Sequence, residues 1–295
     1  MANAKEIQSR IKSIRDTMKI TNAMYMISSS KLKRAKAVLV DTEPYFYALQ
    51  AGIGRILRHM PEMKHKYFNW RPEVTGDDRK IGYIVVSGDK GLAGAYNHNV
   101  FKMAECEMEK EGHAELFVLG EVGRQYFAHK HVDIDTGFRY TVQKPTMHRA
   151  RVIAESMIDK YLRKELDEIY IIYTRMVSAV SMEAEMQRLL PLKREEFGNP
   201  QALIGIHQEE IAFVPSADEL LNRIVPNYLN GMIYGCLVES YASEQNSRMS
   251  AMDSATNSAK DMLKDLSVQY NRVRQAAITQ EITEVVSGAK AQKKK

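Results

Sequence analysis

Cysteine is nearly absent from this 295-residue chain, and long apolar runs are missing altogether. Its two cysteines, Cys106 and Cys236, lie far apart. That excludes a disulfide framework and any CxxC metal or redox motif, and it points to a reducing cytoplasm. No stretch of apolar residues is long enough to span a bilayer. The opening MANAKEIQSRIKSIR is charged and has no apolar core, so neither a secretory signal nor a transit peptide is expected there. The scarcity of helix breakers is the most informative absence, because it is uneven. The 8 prolines and 16 glycines leave residues 1–43 and 236–287 untouched. Nearly all fall in the intervening stretch, and Gly288 is the last of them. Two uninterrupted ends therefore flank a punctuated middle.

Both ends carry helical periodicity. Ile7, Ile11, Ile14, Met18, Thr21, Tyr25, Ser28, Leu32, Ala35 and Leu39 follow alternating steps of four and three, a heptad seam. Asn3 with Glu6 three residues later suits a helix start. At the other end Ser216 and Glu219 form the S-x-x-E capping box, and Pro226 is expected to bend or interrupt the first turns. A second seam runs Ala259, Leu263, Leu266, Tyr270, Val273, Ala277, Gln280, and Gly288 is the expected stop. The pattern predicts an N-terminal helix over 1–60 and a C-terminal helix over 212–288, packed as a long antiparallel coiled coil. A basic tail, 289–295, follows. Met24 and Ile27, and likewise Ile278, Ile282 and Val285, lie off the seams, so the rod has apolar surface to spare and predicts a sleeve.

Charge adds to this. Residues 1–40 carry nine Lys/Arg against Glu6 and Asp16 alone, with Lys31, Lys33, Arg34 and Lys36 the densest cluster. No aromatic platform, zinc module or reading motif accompanies the cluster, so nucleic acid is not expected. An acidic protein partner fits it better.

The middle, 78–208, alternates strand-like and helix-like segments. Strands are predicted at 80–87, 114–119, 132–135, 168–175 and 182–190, with helices at 98–111, 121–131 and 146–165. The expected fold class is α/β: the coiled coil plus a Rossmann-like three-layer α/β domain with a mostly parallel sheet. Such a domain invites an enzyme reading centred on SGDKGLAGAYN, residues 87–97. Its glycines at 88, 91 and 94 do not match G-x-G-x-x-G, and Lys90 precedes its glycine where a Walker loop needs it to follow. A tight turn is the simpler reading. No HExxH and no G-x-S-x-G occur, so no catalytic, cofactor-binding or metal-ligating residues are assigned. A stand-alone nucleotide-binding enzyme with helical extensions is the alternative.

The segments KITNAMYMISSSKLKRAK (19–36), YASEQNSRMSAMDSATNSA (241–259) and YNRVRQAAITQEITEVVSGA (270–289) resemble the gamma subunit of F-type ATP synthases, of bacterial type, in order and over essentially the whole chain. SGDKGLAGAYN is similar to that family's glycine-turn signature, with Ala93 where cysteine is frequent. Asn22 and Tyr25 stand where many members carry charge. The resemblance implies a noncatalytic rotor subunit that transmits torque between the membrane c-ring and the catalytic hexamer of alpha and beta subunits. It implies one copy per complex, contact with the epsilon subunit and c-ring, and a peripheral place on the cytoplasmic face of the cell membrane, reached only through the complex. It also implies a hexamer-facing set: Met24, Ile27, Ile278 and Ile282 as an apolar ring, Arg248, Gln280, Thr283 and Glu284 as polar catches on beta loops, and Lys31, Lys33 and Arg34 opposite an acidic loop of beta.

Overall fold

A computed structural model describes residues 4–74, 76–110, 113–178, 181–197 and 212–292. Asn3, the expected cap, lies outside them, as do Lys293–Lys295 and the 198–208 end of the expected middle domain. The chain divides into two units, 29–247 and the pair of terminal segments 1–28 with 248–295.

The larger unit is built on a four-stranded sheet in the order β2-β1-β3-β4. Strands β1 (Lys80–Val86), β2 (His113–Leu119), β3 (Glu168–Met176) and β4 (Met182–Leu190) fall within a residue or two of the predicted runs. The segment at 132–135 is only a bridge, Leu116 to Ile134. β1 pairs in parallel with β2 and β3, whereas β4 runs antiparallel to β3. The short 177–181 link explains that reversal, because a parallel return needs a crossover of a dozen residues or so.

β1 is buried on both faces, and its side chains alternate between two cores. Ile81, Tyr83 and Val85 face a cluster with Val100, Phe101 and Ala104 of α2 (Tyr96–Met108) and Phe127 of α3 (Glu121–His129). Ile84 and Val86 face the larger core. That core holds Ile153, Ala154 and Met157 of α4 (Met147–Leu162), together with parts of two long helices: Ile53 and Ile56 of α1 (Ala4–His59), and Leu229, Ile233 and Leu237 of α5 (Ala217–Gln292). The sheet is thus sandwiched between helical layers. Where the long helices approach, a Cβ on Gly231 would lie 1.9 Å from Phe46 Cδ1, so only glycine fits. The start of β1, beside the start of β3, is closed by a buried ion pair. Arg71 Nη1 donates to Asp167 Oδ1 at 2.7 Å and to Leu166 O at 2.8 Å, and Asp167 Oδ2 accepts from Lys80 N. Burial alone would raise the Asp167 carboxyl. The Lys80 N–H and the Arg71 guanidinium outweigh it and hold Asp167 below its usual value.

The terminal unit consists of the first turns of α1 and the last twelve or so turns of α5. In α1, Ile7, Ile11, Thr21 and Ser28 are buried and Ile14, Met18 and Tyr25 half-buried, so each predicted seam position is shielded. In α5, Ala259 is buried and Leu263, Leu266, Tyr270 and Val273 are half-buried, but Ala277 and Gln280 are exposed. Thr21 Oγ1 and Thr256 Oγ1 share a hydrogen bond of 2.7 Å, and Arg10, Ser13 and Ile14 border one cavity with Met262, Leu266 and Gln269.

Neither an interruption at Pro226 nor a stop at Gly288 is found. α5 continues through Pro226 and through Gly288 to Gln292. Proline removes one N–H and crowds one carbonyl, but the half of α5 that contains it is packed into the main core, which outweighs that loss. The capping box is half made: Ser216 Oγ accepts from Glu219 N at 3.2 Å, while the Glu219 carboxylate pairs with Arg223.

Candidate functional site

The residues expected to meet a partner fall in both units. In the larger one, Lys33 and Arg34 are exposed and Lys31 half-buried on α1. Among the described residues none of the three makes an ion pair. Lys31 and Arg34 border a cavity of about 320 Å³ together with Ala35, Val38, Lys144, Pro145, Val238 and Tyr241. Three cations around an apolar floor can receive an acidic surface that also offers an aliphatic side chain.

In the terminal unit, Ile27 and Ile282 are 54% and 58% exposed, Ile278 is exposed, and Met24 is half-buried. Ile20, Met26 and Val285 extend this apolar surface. Exposed apolar surface of this kind makes these positions candidates for an interaction site. The four residues do not make one ring, however. Thr256 is level with Thr21, and Ile278 stands 22 residues further along α5. At 1.5 Å per residue this is roughly 33 Å, while Ile27 stays within about 9 Å of Thr21. Met24 with Ile27, and Ile278 with Ile282, are two separate apolar patches.

The polar residues also separate. Gln280 Nε2 donates to Glu284 Oε1 at 3.0 Å and Thr283 Oγ1 to Thr279 O at 2.7 Å, on an otherwise exposed stretch. Arg248 differs, being 8% exposed and engaged within the chain, so its guanidinium is not presented as an open catch. Its position one residue off the heptad steps gave no sign of this.

The glycine turn at 87–97 is spent on structure. Gly88 N, which a phosphate would need, donates to Asn97 Oδ1 at 2.7 Å. Asp89 Oδ2 accepts from Thr141 Oγ1, Val142 N and Gln143 N, and Oδ1 from Glu121 N. A Cβ on Gly88 would sit 3.4 Å from the carboxyl carbon of Glu244, so an acid group already lies beside the turn. Gly94 takes φ +56°, the left-handed geometry that the turn requires. A dinucleotide or phosphate finds committed donors and a carboxyl neighbour there, which argues against the enzyme reading.

Sequence reasoning missed a row of polar groups on α5 beneath this turn. Ser240 is fully buried with its Oγ 2.8 Å from Tyr96 OH, and Glu239 Oε1 accepts from Met176 N at 3.2 Å. Burial raises the Glu239 carboxyl above its usual value, with the Met176 N–H opposing. Burial also pushes the Cys236 thiol up, so it stays protonated and inert. The only signal was the polar run SYASEQNS in a segment otherwise rich in apolar residues.

Among the described residues no helix is long and apolar enough to cross a membrane. A family model described as ATP synthase matches residues 3–292. The chain is 46% identical over 294 residues to the ATP synthase gamma chain of Ruminiclostridium cellulolyticum, covering 98% of each. It is 43% identical over 297 residues to that of Acetivibrio thermocellus, covering 99% of this chain and all of that one. A chain from the central stalk and c-ring of the Tetrahymena thermophila mitochondrial ATP synthase shares the fold, with a TM-score of 0.59 at 23% identity over 80% of this chain and 99% of that one. With a family model and curated relatives matching it end to end, the chain belongs to the family of ATP synthase gamma chains.

Proposed function

We propose that the chain is the central-shaft rotor subunit of an F-type ATP synthase, noncatalytic by itself, which couples ion flow to ATP synthesis and hydrolysis in a hexamer of alpha and beta subunits. One observation carries the proposal beyond family membership. The distal part of α5 is helical and studded with exposed aliphatic residues, yet from residue 274 to 289 none of it is buried. A helix of that kind is built to be enclosed by something else.

The shaft is an antiparallel coiled coil of the terminal helices. Three observations support this: the buried steps along α1, the Thr21–Thr256 bond, and the cavity that sets residues 10–14 beside 262–269. Counted from the threonine pair, Ala4 comes level with Val273, which accounts for the end of burial there. The α/β domain is Rossmann-like in layering, with no nucleotide role. Its partners are the epsilon subunit and the c-ring, and the complex holds one copy at the cytoplasmic face of a bacterial membrane, peripherally.

Within the hexamer, Ile278 and Ile282 form one sliding surface near the tip and Met24 and Ile27 another further down. Apolar contact has no preferred direction, so it permits turning without fixed hydrogen bonds. Gln280, Thr283 and Glu284 offer reversible polar contacts to beta. Lys31, Lys33 and Arg34 face an acidic loop of beta, an attraction weakened by salt. Rotation then selects among site conformations because binding energy differs with angle.

The test is deletion of 270–289 in the assembled complex. Assembly with alpha and beta, and loss of ion-coupled ATP synthesis on deletion, are expected. Full coupling after the deletion would overturn the proposal.

A further inference from the structure

Between Cys236 and Ser247, α5 turns polar groups toward the sheet where aliphatic ones would suffice to bind it. Cys236 Sγ donates to Gln187 Oε1 of β4 at 3.4 Å, and Glu239 Oε1 accepts from the β3 backbone at Met176 N. Ser240 Oγ meets Tyr96 OH of α2 at 2.8 Å and Thr174 N of β3 at 3.4 Å. One turn on, Glu244 is 3% exposed and lies against Gly88 of the glycine turn. Beyond it, Asn246 Nδ2 and Ser247 Oγ both reach Met182 Sδ at the start of β4, at 3.6 and 3.1 Å. One face of one helix is thereby tied to β3, β4, α2 and the 87–97 turn.

Stability does not require this arrangement. A buried hydrogen bond contributes modestly in net terms, and burying polar groups is a costly way to hold two surfaces together. Aliphatic packing would bind α5 as firmly, but it tolerates a small rotation because apolar contact is non-directional and side chains repack. Hydrogen bonds weaken steeply once their angles are spoiled. What the polar row adds is a defined rotational setting. The distal stretch of the same helix does the opposite: its side-chain bonds, Thr279 to Gln275, Thr283 to Thr279 and Gln280 to Glu284, all close on the helix itself. Nothing polar there is tied to a second element among the described residues.

We propose that residues 236–247 key α5 to the α/β domain, with Ser240 and Tyr96 as the central positioning pair, so that the domain and the helix turn together without slip. The inference rests on the rotor reading and adds to it where torque enters α5.

The experiment uses the assembled complex with alpha and beta. A probe on Cys106, an exposed residue of α2, reports the angle of the domain while the hexamer is held by a slowly hydrolysed nucleotide. The double variant Tyr96→Phe with Ser240→Ala removes both hydroxyls of the pair at once, so that neither is left facing the other unpaired, and gives up only the long 3.4 Å contact from Thr174 N besides. Its angular distribution is expected to broaden, with the unfolding temperature of the chain unchanged. Met182→Leu, which conserves volume and removes only the acceptor for Asn246 and Ser247, is expected to broaden it less. If the double variant fails to assemble, Met182→Leu decides alone. Wild-type width in the variants, or a lowered unfolding temperature at wild-type width, would overturn the key and leave the rotor reading intact. A wild-type complex whose probe never turns on addition of ATP would overturn both.

Discussion

The two halves of α5 are the same secondary structure under opposite conditions. Over 217–247 only a few side chains are exposed, and Leu229, Leu237 and Val238 sit in the main core. Over 274–289 every described side chain is exposed. Sequence hydrophobicity does not separate them, because Ile278, Ile282, Val285 and Val286 are as apolar as anything in the first half. What separates them is what lies opposite. In the first half the helix is held by its own domain, and its apolar residues contribute to folding. In the second they contribute nothing to the isolated chain and are free to serve association.

Substitution should break this symmetry of appearance. Leu237→Ala, at 1% exposure, is expected to cost about 2–5 kcal/mol of stability, read from urea unfolding. Equal costs for Leu237→Ala and Ile282→Ala would contradict the contrast. Gly231→Ala comes next. Its Cβ has no room beside Phe46, so a loss of about 1–3 kcal/mol is expected where alanine normally stabilises a helix. Acid offers a third way in. Because the folded carboxyl of Asp167 is held below its unfolded value, the stability it contributes is complete above about pH 4 and is lost as pH falls through the lowered value. Trp70, the one tryptophan, precedes Arg71 in the chain and packs on Arg188, so its fluorescence should change in acid before the far-ultraviolet helix signal does. The smallest effect on stability belongs to Ile282→Ala, within about 0.5 kcal/mol, yet ion-coupled ATP synthesis should fall. Unaltered synthesis would mean that the exposed patch is not a contact.

The strands were legible because β1 and β3 are near-continuous apolar runs, the signature of strands covered on both faces. Orientation was not, although the five-residue link before β4 held the information. Helix existence was legible from the missing breakers, and so was the end of α1 near residue 60, but the course of α5 was not: packing into the main core carries it through Pro226, and it runs on past Gly288 to Gln292. The heptad steps in α1 gave the shielded residues one by one, since a seam is a local property. The apolar residues left over were identifiable as off the seam, and all but Met24 are exposed, but their grouping was not legible, because Ile27 and Ile278 become distant only once the level of Thr21 and Thr256 is known. Arg248 and the polar row escaped for a related reason. Burial of a polar side chain depends on a partner far away in sequence, as Ser240 depends on Tyr96, and no periodicity in α5 announces one.

The exposed end of α5 has a thermodynamic consequence. A helix of fewer than about 12–15 residues without tertiary contacts is marginal in water, and the stretch beyond Val273 is only slightly longer and contains Gly288. Its order in the free chain therefore has little to sustain it. Confinement by a partner would remove conformational freedom from this segment, and part of the association free energy is consumed there. Amide hydrogen exchange at 274–289 should accordingly be fast in the free chain and slow in the assembled one, making the segment a built-in gauge of how tightly it is enclosed.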